Sequence, residues 1–267
     1  MKKGLRCLFA AMAVICAAIA VWCGYSLYKT LREYERGEED LKQVYEAVEN
    51  INAQIKTENN ESPEPELNNE QEDKEAKEKL EIYRKLKESN GDLVGWVRID
   101  NTSIDYPVMQ TPDDPDFYLT HGFEKNRSVY GMIYMDARCR LDGSCSNYLL
   151  YGHHMKNGSM FASLDKYGSE EYYKEHPVIR FDTLYECGTW EIFAVFKISA
   201  SGLVEEKAAM LTAGAEENYN ALVEYAKAHS FYDTGITPEW PETLLTLATC
   251  EYTQKDGRLL VIARRAH

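Results

Sequence analysis

Three residues of this chain have the types and settings from which covalent chemistry is built: Cys250, His153 and Arg258. Cys250 ends the apolar run Leu244-Leu245-Thr246-Leu247-Ala248-Thr249, and the polar Glu251-Tyr252-Thr253-Gln254 follows it. The run reads as a strand whose last residue opens into a loop at a rim, where a thiolate could act as nucleophile. Arg258 follows the turn Asp256-Gly257 and begins the next apolar run. If Thr246–Cys250 and Arg258–Ile262 pair as a hairpin, Arg258 lies beside Cys250 at one end of a sheet. A fixed guanidinium there lowers a thiol pKa from about 8.5 and can hold an oxyanion. His153 follows another strand-like run, Tyr148-Leu149-Leu150-Tyr151, after the breaker Gly152. A His and a Cys so far apart in sequence meet only if the fold joins two strand ends, the usual pattern of a Cys/His nucleophilic site. Spacing alone leaves open the blander alternative of a core cysteine and a satisfied structural histidine.

The elements that must position them are strands. From Gly95 onward GWVRID, SIDYPVMQ, GMIYMDARC, NYLLYGHH, PVIRFDT, TWEIFAVFKI, TLLTLATC and RLLVIARR are short β-branched and aromatic runs. Turn clusters such as Asp142-Gly143, Cys187-Gly188 and Asp256-Gly257 separate them. This texture predicts a mainly β domain, a closed barrel or a sandwich. Two interruptions read as helical, Ser159–Tyr173 and Ala215–His229, the second with Tyr219, Leu222, Val223 and Ala226 on one face.

With 267 residues, 44% hydrophobic and 12% aromatic, the chain can bury a sizeable core, which excludes wholesale disorder. Its net charge of −14 argues against a nucleic-acid partner, which requires a basic face. The charge is unevenly spread: residues 1–30 carry four bases and no acid, whereas 31–92 and 93–267 are each strongly acidic. Within the first segment, Cys7 to Tyr28 is an uncharged run of 22 residues. At ~1.5 Å per residue it can cross a hydrocarbon core, which needs roughly 20 residues. Lys2, Lys3 and Arg6 before it predict a cytoplasmic N-terminus, and Trp22, Tyr25 and Tyr28 suit the outer interface. A single-pass anchor over residues 1–29 is expected, with a signal peptide cleaved near Ala18-Ile19-Ala20 as the alternative. Either way everything after Lys29 is exported.

Residues 30–90 read as an acidic stalk. Leu41, Val44, Tyr45, Val48, Ile51 and Ile55 recur at helical spacing, and Lys74–Glu88 carries Leu80, Tyr83 and Leu86 on one stripe before the stop Asn90-Gly91. Between them Thr57–Asp73, with Pro63 and Pro65, is too polar to order itself. Such a stalk would hold a domain of residues 91–267 off the membrane, and a chain beginning at residue 76 is expected to fold unaided. Of the cysteines, Cys7, Cys16 and Cys23 lie in the apolar run, while Cys139 and Cys145 flank a turn and could pair.

Thr246-Leu247-Ala248-Thr249-Cys250 resembles the TLxTC signature of sortases, the cysteine transpeptidases of Gram-positive cell surfaces. Tyr151 to Phe161, YGHHMKNGSMF, resembles their catalytic-histidine segment in its class B form. Gly95-Trp96-Val97-Arg98-Ile99 and Ile104-Asp105-Tyr106-Pro107-Val108 are similar to the start of a class B barrel, and Ala215–His229 stands where that class has its insertion before the cysteine strand. The resemblance covers about residues 80–265. It implies a closed sortase-type β-barrel of about eight strands with N-terminal helices. It also implies roles. Cys250 would attack the carbonyl after the Thr of a C-terminal sorting motif, and His153 would protonate the leaving amine and later deprotonate the incoming one. Arg258 would hold substrate and oxyanion. The thioacyl intermediate would pass to an amino group of peptidoglycan, so the implied partners are sorting-motif surface proteins, that amine and the membrane. No metal or organic cofactor is implied, and the calcium site of some class A members has no evident counterpart. The family pattern gives His154 no chemical role.

Some residues depart from the family. Ala248 fills the variable position of TLxTC, where some class B members have Ser, and Tyr252 stands two after the cysteine, so no catalytic aspartate is carried over. Asp114-Pro115-Asp116-Phe117 resembles the lid of pilin-polymerising class C sortases, but it follows the first barrel strands. A class C-like sortase and another exported Cys/His enzyme are the alternatives, although the SHGC-like motif usual in L,D-transpeptidases is missing. A non-catalytic surface module on a stalk is the third. The sorting motif itself is not legible.

Overall fold

Eight strands, β1 (Leu93–Arg98), β2 (Asp105–Met109), β3 (Ile133–Met135), β4 (Asn147–Tyr151), β5 (Val178–Thr183), β6 (Thr189–Ser199), β7 (Leu244–Glu251) and β8 (Gly257–Arg265), close on themselves in the order β1-β2-β3-β4-β7-β8-β6-β5. The structure, a computed structural model, describes residues 2–58, 68–199, 214–251 and 256–266. The β2–β3 and β4–β7 pairs are parallel and the others antiparallel. The mainly β barrel expected from the sequence is therefore the fold. Closure leaves no unpaired edge among the described strands, and alternate side chains fill the interior, as β5 shows by alternating half-buried and buried residues.

Among the described residues four α-helices accompany the barrel: α1 (Lys2–Glu58), α2 (Asn68–Ser89), α3 (Glu170–Glu175) and α4 (Glu216–His229). α4 matches the helical insertion expected before the cysteine strand, with Tyr219, Leu222, Val223 and Ala226 buried. The helical stretch expected over Ser159–Tyr173 divides into a 3-10 helix, Phe161–Gly168, and then α3. Its apolar anchors explain the change. Phe161, Leu164 and Tyr167 recur every third residue and are all buried, which is the period of a 3-10 helix rather than an α-helix.

The apolar stripes of α1 and α2 are turned onto the barrel. Leu41, Val44 and Ile55 of α1 and Ile82, Tyr83 and Leu86 of α2 join the buried core, with Tyr45, Val48 and Ile51 packed partly against it. An apolar helix face left in water would forgo this burial. The ring of Tyr83 stacks on Trp96 at 5.8 Å between centroids, and the Tyr45 hydroxyl donates to the Asp105 carbonyl at 2.7 Å. Gly37 passes so close to Tyr130 that a Cβ would lie 2.1 Å from a ring carbon. Residues 59–67 of the expected linker lie outside the described residues. Toward its N-terminus α1 is apolar and uncovered: Val14, Ile15, Ile19, Val21 and Trp22 are all exposed. Among the described residues, α1 is the one helix long and apolar enough to cross a membrane.

Candidate active site

β4 and β7 run side by side, with Tyr151 opposite Ala248, so the two strands end at the same rim. Their pairing continues one step further. Gly152 N–H donates to the Ala248 carbonyl at 3.1 Å, and Thr249 Oγ1 donates to the Gly152 carbonyl at 2.9 Å. His153 thus follows the end of β4, while Cys250 is the last residue but one of β7. Gly152 is required here, since a Cβ would come within 2.5 Å of Ile133 Cδ1 and 2.6 Å of Phe161 Cδ2. Across the other side of β7, Cys250 is the register partner of Arg258 on β8, the pairing expected of the hairpin. His153, Cys250 and Arg258 all line one cleft of about 600 Å³ with Leu119, Tyr134, Asp136, Arg138 and Tyr151. Cys250 and Arg258 are each half-buried, and an Arg258 N–H donates to the Gly257 carbonyl at 2.9 Å.

The adjacent histidines diverge. His153 Nε2 lies 2.6 Å from the Leu119 carbonyl, and because a carbonyl can only accept, Nε2 carries a proton. Nδ1 takes no part in that contact. His154 donates from Nδ1 to the Cys250 carbonyl at 3.1 Å, while its Nε2 lies 3.4 Å from the Asp165 carboxylate. It holds the backbone beneath the thiol, a role the sequence pattern did not assign.

One wall of the cleft also escaped the sequence reading. Asp136 accepts two bonds from the Arg138 guanidinium, at 2.8 and 2.7 Å, and one from the Tyr151 hydroxyl at 3.0 Å. Burial alone would raise the Asp136 carboxyl, but the Arg138 bonds and charge, with Tyr151, outweigh it and hold the group below the usual carboxylate range. Burial first, and then the neighbouring carboxylates Asp136 and Asp116, push the Tyr151 and Tyr134 hydroxyls up, so both remain donors at neutral pH. The signal available in sequence was Asp136-Ala137-Arg138 directly after a strand, an i, i+2 ion pair at the rim. Tyr252, the departure noted after the cysteine, falls outside the described residues. Among the described residues no His/Cys/Asp/Glu group is placed to hold a metal ion.

Residues 97–266 match the sortase domain family. The chain is 34% identical over 184 residues to sortase B of Listeria monocytogenes, covering 67% of this chain and 71% of that protein. It is 29% identical over 184 residues to sortase B of Staphylococcus aureus, covering 68% and 73%. Among solved structures, the sortase B from B. anthracis in complex with AAEK1 is similar with a TM-score of 0.68 and 28% identity, over 88% of this chain and 99% of that one. The fold and its cleft are those of a cysteine transpeptidase, and the chain belongs to the sortase family. Within it the relatives are class B, so this is a sortase B-like, cell-wall transpeptidase of the cell surface that acts on sorting-motif proteins and peptidoglycan amines.

Proposed function

We propose that Cys250 is the nucleophile of the transpeptidation, His153 its proton-transfer partner and Arg258 the group that holds the oxyanion. The observation carrying this reading is that the three residues share one cleft, with Cys250 and Arg258 in register across β7 and β8. The Cys250 thiolate adds to the carbonyl after Thr of the sorting motif, and the carbonyl oxygen takes up the negative charge beside the Arg258 guanidinium. The C–N bond then breaks as His153 passes a proton to the leaving amine, which gives a thioacyl enzyme. An amino group of peptidoglycan attacks the thioester, His153 takes its proton, and the thiolate leaves. No oxidation occurs in either half.

The chain divides, on this reading, into a cytoplasmic tip and membrane anchor (1–29), a helical segment (30–90) and the catalytic barrel (91–267). It spans the membrane once, N-terminus inside, and the exposed apolar face of α1 supports the anchor. Basic residues before the span and none within it support the orientation.

Four variants test the roles. Cys250→Ala should fall to background, and His153→Ala by ~10³–10⁴-fold in kcat/KM. Arg258→Lys, which keeps charge but loses the planar fork, should lose on the order of 10²-fold, all three with Tm unchanged. An Asp165→Asn control should stay within about tenfold. Parallel losses of Tm and activity in all four would instead make these residues structural.

A further inference from the structure

The connection from β3 to β4 carries two thiols that the transpeptidation does not use. Cys139 and Cys145 are buried, 1% and 6% exposed, and are present as thiols. Between them the chain reverses at Asp142-Gly143, where Gly143 has φ 82° and the Asp142 carboxylate accepts from Ser144 N–H at 3.0 Å. The turn returns both sulfurs to one carbonyl: Cys139 Sγ lies 3.2 Å and Cys145 Sγ 3.0 Å from the Asn147 oxygen. Two sulfurs on the same oxygen are close neighbours, in a domain that faces an oxidising exterior where disulfides persist.

We propose that Cys139 and Cys145 are a modification site: after export they close into an intramolecular disulfide that staples the β3–β4 connection behind the active-site cleft. Each thiol gives up one proton and one electron, and the acceptor is a protein or small-molecule disulfide that departs as two thiols. The hydrogen bond between the pair pushes the Cys145 thiol down to about 7 despite burial, and the same contact with burial pushes Cys139 up. Near neutral pH the pair therefore offers an attacking thiolate. Cys139 also lines an open cavity with Gln110, Arg140 and Leu141, through which a small oxidant can approach.

The staple would join two parts of the site. On one side Cys139 N–H donates to the Asp136 carbonyl at 3.0 Å, and Gln110 Nε2 bridges the Asp136 and Cys139 carbonyls at 2.9 and 2.8 Å. On the other, Asn147 Oδ1 accepts from Thr246 Oγ1 of the cysteine strand at 2.9 Å. A bond between the sulfurs fixes the Asp136–Arg138 wall relative to β7.

The test uses the full chain exported by a Gram-positive host, denatured without reductant in iodoacetamide and cut with trypsin. Cleavage after Arg138, Arg140 and Lys156 separates Cys139-Arg140 from Leu141–Lys156 unless a disulfide joins them. The expected result is the joined pair, split by reductant, together with a fall in Tm of about 5 °C when the native protein is reduced. That fall should be missing in Cys145→Ser. Alkylation of both cysteines in the unreduced protein overturns the proposal, as does an equal effect of reductant on Cys145→Ser. The peptide map is read on the unmutated chain, so it stands even if the variant does not fold.

Discussion

The His154 imidazole donates to the carbonyl of Cys250, so the residue beside the proposed proton-transfer histidine holds the backbone of the proposed nucleophile. His153 lines the cleft with Cys250, whereas His154 binds the Cys250 backbone. Losing one such hydrogen bond costs about 1 kcal/mol, or roughly 2–4 °C in Tm for a domain of this size. His154→Ala should show that fall together with a loss of less than about tenfold in kcat/KM. Abolished turnover in His154→Ala, beside an active His153→Ala, would reverse the two assignments.

Gly152 couples the two strand ends. In Gly152→Ala the new methyl meets Ile133 and Phe161 well inside van der Waals contact, and overpacking of this kind costs about 1–3 kcal/mol. Thermal melts should fall by several degrees, and kcat/KM should fall further than in His154→Ala, because His153 is displaced with the backbone. An unchanged melt and rate would mean that the rim yields freely.

The helices before the barrel give a contrast between two shortened chains. By sequence a chain beginning at residue 76 is expected to fold unaided, yet Leu41, Val44 and Ile55 are buried against the rest of the protein. Burying such side chains contributes about 1.5–3 kcal/mol each. Starting at residue 30 should therefore leave Tm unchanged, whereas starting at residue 76 should lower it by well over 5 °C. Equal melting temperatures for the two would show that the α1 stripe adds nothing.

Asp136 predicts a pH dependence. Its folded carboxyl titrates below the unfolded value near 3.9, because Arg138 and Tyr151 outweigh the effect of burial. Ionisation then favours the folded state, so this stability is complete above about pH 4 and is lost as pH falls through the folded pKa. Asp136→Asn should melt below wild type at pH 7, and the gap should narrow as pH drops toward 3. A gap that stays constant over that range would remove the ion pair from the account.

Much of this was legible in the sequence because strand signals are local. The runs ending at Tyr151 and Cys250, and the Asp256-Gly257 turn that sets Arg258 opposite Cys250, are written in consecutive residues. What was not legible depends on partners distant in sequence. The parallel pairing of β4 with β7 joins segments about a hundred residues apart, and nothing local announces it. The Leu119 carbonyl that binds His153 is a backbone group, which residue type does not reveal. The stripe on α1 was visible, but its destination was not: an amphipathic helix records that one face must be covered and is silent about what covers it. Ser159–Tyr173 read as a single helix because the three-residue period of Phe161, Leu164 and Tyr167 also fits the i, i+3 spacing of an α-helix.

On the proposed mechanism Cys250 carries the acyl group between the two halves of the reaction. This is tested most directly by intact mass of the full chain after brief exposure to sorting-motif peptides without an amine acceptor, followed by peptide mapping. The expected product is an adduct equal to the peptide segment ending in Thr, located on Cys250 and lost on adding an amine or hydroxylamine. Turnover with no adduct on Cys250, or an adduct on another residue with Cys250→Ala still active, would contradict it.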